Sequence, residues 1–346
     1  MKILVTGAAG FIGAFLCKRI LNTADNKVVG IDNLNDYYDV SLKEERLKML
    51  SHFENFSFIK GDIADKDFIE KLFKEENFDL VINLAAQAGV RYSIDYPDVY
   101  IESNIIGFYN ILEACRHNLI KHLIYASSSS VYGENDKIPF STNDNVDKPV
   151  SLYAATKKSD ELLAYAYSKL YDIPTTGLRF FTVYGPMGRP DMAYFNFAKK
   201  LINGDTIEIF NYGNCKRDFT FIDDIVEGIM KVLKKVPTNV NDSGEHIAPY
   251  KIYNIGNNKP ESLLEFVKIL SEELVKANVL PDNFDFESHK KLVPMQKGDV
   301  PITYADISDL ERDFGYKPST TLRDGLRKFS EWFFEYYIKG AERKWK

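Results

Sequence analysis

The chain has few of the residues from which metal centres and disulfide frameworks are built. Its 346 residues include three cysteines, Cys17, Cys115 and Cys215, and five histidines. An odd number of cysteines without metal spacing excludes a zinc ribbon or a multi-disulfide scaffold and fits structural thiols in a reducing compartment. His117 and His122 flank an expected helix end, where both rings are expected at the surface, and no cysteine or carboxylate completes a ligand set, so no metal site is expected. There is no basic stripe either. With a net charge of -6 and a pI near 5.6, nucleic acid is not the expected partner. No apolar run approaches the roughly 20 residues needed to span a bilayer. The segment Lys2 to Thr6 reads as a strand with no leader pattern before it. The expectation is a cytoplasmic chain without a membrane partner.

What is present is alternation. Short apolar runs at Ile3 to Val5, Val28 to Ile31, Phe56 to Ile59, Leu80 to Leu84, Leu123 to Ala126 and Thr176 to Phe180 are separated by segments of helical periodicity, such as Ile12, Phe15, Leu16 and Ile20. Runs without polar alternation suit strands buried on both faces, and repeated strand-helix-strand units predict an α/β fold with a doubly wound parallel sheet. Beyond Tyr184 the pattern loosens around Pro186, Gly188 and Pro190, which predicts a smaller α+β domain. The expected division assigns 1–183, with returns near 220–235 and 251–257, to the large domain, and 184–219 and 258–346 to the small one. The polar stretch Pro237 to Pro249 is expected as a mobile surface loop.

Gly7-Ala-Ala-Gly10-Phe11-Ile12-Gly13 follows the first run. Gly7 and Gly10 permit a tight turn and close approach to a pyrophosphate, Gly13 allows helix and sheet to pack, and the helix N-terminus faces the phosphates. Asp32, at the end of the second run, is placed to accept both ribose hydroxyls and to repel a 2'-phosphate, so NAD is the expected cofactor rather than NADP. Asp62 is placed for the adenine amino group, and Leu84, Ala85 and Ala86 allow a close cofactor backbone. Phe11, Ile12, Asn33, Asn35 and Ile63 complete the expected wall. Asn104 either joins it or is an ordinary polar residue of its helix.

Tyr153-Ala-Ala-Thr-Lys157 supplies the chemistry, with Ser128 upstream in a serine-rich strand end. Taking hydride from an alcohol carbon requires removal of the hydroxyl proton, for which a free tyrosine, with a pKa near 10, is a poor base. Four residues apart on one helix, the two side chains share a face. An ammonium about 5 Å from a phenolate, at an effective dielectric of about 20, stabilises it by roughly 3 kcal/mol. Together the three motifs imply nicotinamide redox chemistry on a hydroxyl group.

With these residues the chain resembles, over nearly its whole length, the extended short-chain dehydrogenase/reductases, which include nucleotide-sugar epimerases, dehydratases and decarboxylases. The resemblance implies a Rossmann domain, a C-terminal sugar-nucleotide domain, a catalytic set of Ser128, Tyr153 and Lys157, and a homodimer formed through helices around Asn104 to Cys115 and Tyr153 to Leu170. Arg217-Asp-Phe219 looks like the family's diphosphate-binding segment. The dehydratases carry two acidic residues after the catalytic Ser or Thr, and the decarboxylases a Glu at the second place. Here both are serines, Ser129 and Ser130, so a 4-keto sugar lacks a partner for elimination and hydride return is the implied fate.

Thr182, where galactose-type 4-epimerases place Asn, together with Gly188-Arg189-Pro-Asp-Met-Ala193, looks like the UDP-glucuronate 4-epimerases. The implied activity is reversible C4 epimerisation between UDP-glucuronate and UDP-galacturonate. Arg189 is the candidate partner of the uronate carboxylate, Thr182 a hydroxyl donor, and Ser128 and Ser129 further contacts. Gln296-Lys-Gly-Asp299 departs from the family's Arg-x-Gly-Asp. Asp299 remains a candidate for a ribose hydroxyl, while the charge contact falls to Arg217 or Lys297. Phe210, Tyr212 and Phe219 hold uracil or are core aromatics. The competing enzymatic readings are a UDP-glucose or UDP-N-acetylglucosamine 4-epimerase and a UDP-glucuronate decarboxylase. The competing non-enzymatic one is an NAD-binding redox sensor, against which the presence of both Tyr153 and Lys157 argues.

Overall fold

Successive side chains of a strand point to opposite faces, so a strand covered on both sides feeds two cores at once. In the computed structural model, which describes residues 1–23, 25–295 and 300–340, Ile3 and Val5 enter one hydrophobic core and Leu4 the other. Leu80 and Ile82 divide from Val81 in the same way, and Ile124 from Leu123 and Tyr125.

In chain order the strands are β1 (Lys2–Thr6), β2 (Lys27–Asp32), β3 (Phe56–Lys60), β4 (Leu80–Asn83), β5 (His122–Ser128) and β6 (Thr175–Phe180). There follow β7 (Thr182–Tyr184), β8 (Ile207–Ile209), β9 (Lys216–Phe221), β10 (Tyr250–Ile255), β11 (Pro260–Ser262) and β12 (Lys290–Leu292). Seven of them form one sheet in the order β10-β6-β5-β4-β1-β2-β3, with every pair parallel. The winding reverses between β1 and β4, and a crevice opens at the carboxyl ends of strands at such a point. Thr6 and Asn83 are paired there, Thr6 Oγ1 donating to Asn83 Oδ1 at 2.7 Å and accepting from Ala85 N at 3.0 Å. The two exits are thereby locked together.

Two further sheets, β11-β9-β7 and β12-β8, lie in the later part of the chain. The helices Leu263–Lys276 and Leu322–Phe333 flank this region. Phe219 stacks on Phe266 with centroids 4.1 Å apart and is buried, which makes it a core aromatic, whereas Tyr212 is exposed. Among the described residues no helix is long and apolar enough to cross a membrane.

All three cysteines are buried and unpaired by disulfides, and burial pushes the Cys17 and Cys115 thiols up. His122 corrects an expectation. It opens β5 inside the sheet, fully buried, with Nε2 and Thr176 Oγ1 of the neighbouring β6 at 2.9 Å. Burial pushes the ring down to about 4. The surface position was inferred from the adjacent helix end, but β5 begins one residue earlier than its apolar run.

Candidate active site

The cleft at the switch point is lined by Gly7, Gly10, Phe11, Ile12 and Gly13 after β1, Asp32, Asn33 and Asn35 after β2, and Asp62 and Ile63 after β3. Leu84, Ala85 and Ala86 after β4 close its floor. Gly7 has φ +69, and a Cβ there would lie 2.9 Å from Ala85 N; a Cβ on Gly13 would lie 2.1 Å from Gly7 O. Any side chain would thus fill the turn or part the helix from the sheet. The helix Phe11–Leu21 begins at Gly10 with no side-chain cap, so the amides of its first turn face the cleft with the positive end of the helix. That is a seat for a pyrophosphate.

Asp32 is held in place: Oδ2 accepts from Ala9 N at 3.2 Å and Oδ1 from Leu34 N at 2.9 Å. Asn33 Nδ2 donates to Asp62 Oδ2 at 2.8 Å, joining the ends of β2 and β3. Lys43, buried and absent from the sequence reading, donates to Asn35 O and Oδ1 at 2.8 and 2.9 Å and sits 3.9 Å from Asp32. Burial draws its ammonium down while Asp32 opposes that shift. The donor set, the uncapped helix and the side-chain-free turn all fit a dinucleotide with free ribose hydroxyls.

Ser128, Tyr153 and Lys157 line the same cleft. Ser128 ends β5, and its Oγ accepts from Ser130 N at 3.1 Å, capping a short turn. Ser151 caps the helix Leu152–Tyr171, accepting from Ala154 N at 3.1 Å, which fixes Tyr153 in the first turn and Lys157 one turn later. Tyr153 is half-buried, and its ring meets Tyr100 edge-on at 6.0 Å. Lys157 is buried; its Nζ donates to Ala126 O at 3.0 Å and to Asp160 Oδ2 at 3.1 Å. Beneath the strand ends Arg179 pairs with Glu161 at 2.8 and 2.9 Å, and Ser127 donates to Glu161 at 2.6 Å.

Arg189 also lines the cleft, with Phe181, Val183 and Met192 as apolar neighbours. Its guanidinium meets Asp191, which also accepts from Tyr37 at 3.2 Å. Burial, with Asp191 adding to it, pushes the Tyr37 hydroxyl up to about 12, so it remains a donor at neutral pH. Arg46, fully buried, joins the two ends of the site. It donates to Ala9 O at 2.9 Å, to Met187 O at 2.6 and 3.1 Å, to Gly188 O at 3.3 Å and to Tyr38 Oη at 2.7 Å.

The remaining candidates lie apart from this wall. Asn104 lies outside the cleft wall: it is buried, with Oδ1 accepting from Gln87 N at 2.8 Å and Nδ2 donating to Gln87 O at 3.0 Å and Thr156 Oγ1 at 3.0 Å. Its amide is spent on shaping the loop after β4. Gln87 itself lines the cleft, and its Nε2 has no partner. Thr182 lies between Phe181 and Val183 on β7, opposite Phe219 of β9, outside the cleft wall. Ser129, half-buried, is likewise outside it. Arg217 at the start of β9 donates to Lys216 O at 3.0 Å and to Pro301 O at 3.3 Å. Asp218 beside it is buried and accepts from Asn257 N and Ala305 N at 2.6 and 3.0 Å. Gln296, Lys297 and Asp299 lie outside the described residues.

Lys43, Arg46, Tyr37 and Asp160 were missed. Lys43 and Arg46 carried one readable signal, two cations on the buried side of a helix that starts at the Asp39 cap.

Comparison with known proteins bears on the same cleft. The model of the NAD dependent epimerase/dehydratase family matches residues 3–256. The chain is 54% identical to protein CapI of Staphylococcus aureus, over 98% of this chain and 100% of that one. It is 47% identical to UDP-glucuronate 4-epimerase 4 of Arabidopsis thaliana, over 97% of this chain and 76% of the plant protein. Among solved structures it resembles UDP-glucuronic acid 4-epimerase from Bacillus cereus in complex with UDP-glucuronic acid and NAD. There the TM-score is 0.85 at 35% identity, covering 97% of this chain and 100% of that one.

Proposed function

The chain belongs to the NAD dependent epimerase/dehydratase family, and from that premise we propose that it interconverts UDP-glucuronate and UDP-galacturonate by epimerisation at C4. The observation that carries this reading is the company Tyr153 keeps. Lys157, Ser128 and Arg189 share its cleft, and the only carboxylates lining that cleft, among the described residues, are Asp32 and Asp62 at the ends of β2 and β3. A base, an oxyanion donor and a cation for a uronate are present, while the acid that elimination would need beside Ser128 is replaced by Ser129 and Ser130.

Gly7, Gly10 and the first turn after them would hold the pyrophosphate of NAD, Asp32 a ribose, and Asp62 the adenine side. When bound, NAD would supply a hydride acceptor, and in its reduced form a hydride donor, at C4 of the sugar. Tyr153 removes the proton from O4 and later returns it to the same oxygen. Lys157 stabilises the phenolate, and Ser128 donates to the oxygen as it becomes a carbonyl. The sugar turns about its diphosphate between the two steps, so the opposite face is presented for return. Because the intermediate is a β-keto acid, the carboxylate must be kept from aligning its C5 to C6 bond with the ketone, and we assign that restraint to Arg189, which lines the cleft.

We assign substrate binding to residues 184–219 and 258–346, with Arg217 as the candidate for the diphosphate and Asp299 for a ribose, and add Ser129 and Thr182 of the larger part as candidates for the sugar. We place the enzyme in the cytoplasm, where NAD and nucleotide sugars are made, as a homodimer. Ile106 and Tyr109 on one helix and Leu162 and Tyr165 on another are exposed apolar groups suited to that contact.

Incubation with UDP-glucuronate and, separately, with UDP-glucose, followed by separation of products, tests the reading. UDP-galacturonate from the first and no reaction of the second is expected. Turnover of UDP-glucose at a matching rate, or UDP-xylose from UDP-glucuronate, would replace it by a competing one.

A further inference from the structure

Lys157 has three ammonium donors. The Ala126 carbonyl takes one at 3.0 Å and Asp160 Oδ2 another at 3.1 Å, leaving one for the cleft that the lysine lines. Asp160 follows Lys157 by three residues on the same helix face, is 1% exposed, and its Oδ1 has no hydrogen-bond partner. A buried carboxyl with half its acceptor capacity unmet is costly, and among the described residues its one side-chain hydrogen-bond partner is the active-site lysine. It acts on that lysine in two ways. It fixes where the ammonium points, and its charge opposes the lysine's own.

Resting on the roles given above to Tyr153 and Lys157, we propose that Asp160 is a positioning residue of this enzyme. It holds the Lys157 ammonium against Ala126 and sets how much of its positive charge reaches Tyr153. Burial pushes the Asp160 carboxyl up to about 7; Lys157 opposes that shift and Glu161 adds to it. Glu161 is itself tied to Arg179 at 2.8 and 2.9 Å and lies 4.0 Å from Lys158. From β5, Tyr125 feels the Asp160 charge and bonds Tyr250 of β10 at 2.7 Å. While burial keeps Asp160 protonated the lysine acts at full strength on the phenolate, and once it ionises the carboxylate cancels part of that action. Two opposed ionisations broaden the acid limb of the rate profile.

The test compares Asp160→Asn, Asp160→Ala and Tyr153→Phe with the wild type as NAD holoenzymes. Epimerisation of UDP-glucuronate is followed from about pH 5 to 10, and thermal melting over about pH 4 to 9. Asn keeps an acceptor for Lys157 and drops the charge, so KM stays and the part of the acid limb of kcat over which Asp160 is ionised moves to lower pH, by up to about one unit. That is the effect of a unit charge over roughly 10 Å at an effective dielectric of about 20. Ala removes the acceptor too, and kcat falls about tenfold with KM unchanged.

Melting gives a readout apart from turnover. A carboxyl raised from its ordinary range to about 7 loses native stability as pH climbs through that window, so the advantage of Asn over Asp grows between about pH 4 and 7 and then levels. An unmoved acid limb in Asp160→Asn, or full kcat in Asp160→Ala, overturns the proposal even if melting changes. If Tyr153→Phe is inactive beside such a result, the epimerase reading stands and Asp160 is structural. If Tyr153→Phe turns over at the wild-type rate, both fall together.

Discussion

Asp191 grips Arg189 from two residues away, Oδ1 accepting from Nε at 3.0 Å and Oδ2 from Nη2 at 2.5 Å. The guanidinium assigned to the substrate's carboxylate is thus already engaged by a carboxylate of its own loop, in the two-pronged geometry a uronate would offer. Tyr37 donates to the same Asp191 at 3.2 Å, which would leave the aspartate a partner if, as proposed, a substrate carboxylate displaced it from Arg189.

Replacing Arg189 by Ala or His should therefore lower kcat/KM for UDP-glucuronate by about 10²-fold while UDP affinity changes little. The released carboxylate would align with the ketone, and CO2 would appear with a UDP-4-keto-pentose. Mass analysis of products and a label at C6 would follow both. A variant that epimerises normally and releases no CO2 removes Arg189 from the site.

Tyr153→Phe keeps the ring against Tyr100 and loses the proton carrier. Turnover should fall by at least about 10²-fold with UDP-sugar binding largely intact. Lys157→Met should be severely impaired as well, with residual activity favoured at higher pH. Single-turnover rates and a binding titration check both, and near wild-type turnover in the Phe variant would mean that the proton travels elsewhere.

Arg46→Met leaves the Ala9, Met187 and Gly188 carbonyls without their donor. Destabilisation of about 3 kcal/mol is expected, read as a lower Tm, together with faster loss of bound NAD because the glycine turn loosens. Unchanged Tm and unchanged NAD retention would show that the carbonyls find other partners.

His122 is buried with its ring pushed down to about 4, below its ordinary value. A neutral ring in the fold and a protonatable one in the unfolded chain give stability that is whole above about pH 6.5. It is lost as pH falls toward 4, by an amount on the order of 3 kcal/mol. His122→Gln, which still reaches Thr176 without titrating, should flatten the fall in Tm across that window. Parallel Tm curves for the two proteins would refute the assignment.

The dinucleotide turn was readable because its cause is local: a positive φ at Gly7 and the contact between Gly13 and Gly7 O admit no side chain, whatever surrounds them. Tyr153 and Lys157 were readable for a similar reason, since four residues on a helix determine a shared face. Asn104 was not. Its segment Ile101–Ile106 is a wide π-type turn, which displaces the ordinary helical spacing and aims the amide at Gln87.

By itself, then, the sequence determined the alternation of doubly buried strands and helices, the phosphate-binding turn and the tyrosine-lysine pair, because each rests on backbone sterics or on contacts within a few residues. Only the tertiary structure decided that Arg46 would tie Ala9 to Met187, that Tyr37 would reach Asp191, that His122 would be sealed against Thr176 and that Asp160 would be buried with an oxygen unmet. These links, from Arg46 to Ala9 and Met187, Tyr37 to Asp191 and His122 to Thr176, span 37 to 154 residues of the chain. The burial that gives Asp160 its character is set by the strands packed beneath its helix, so neither kind of information is present in local spacing.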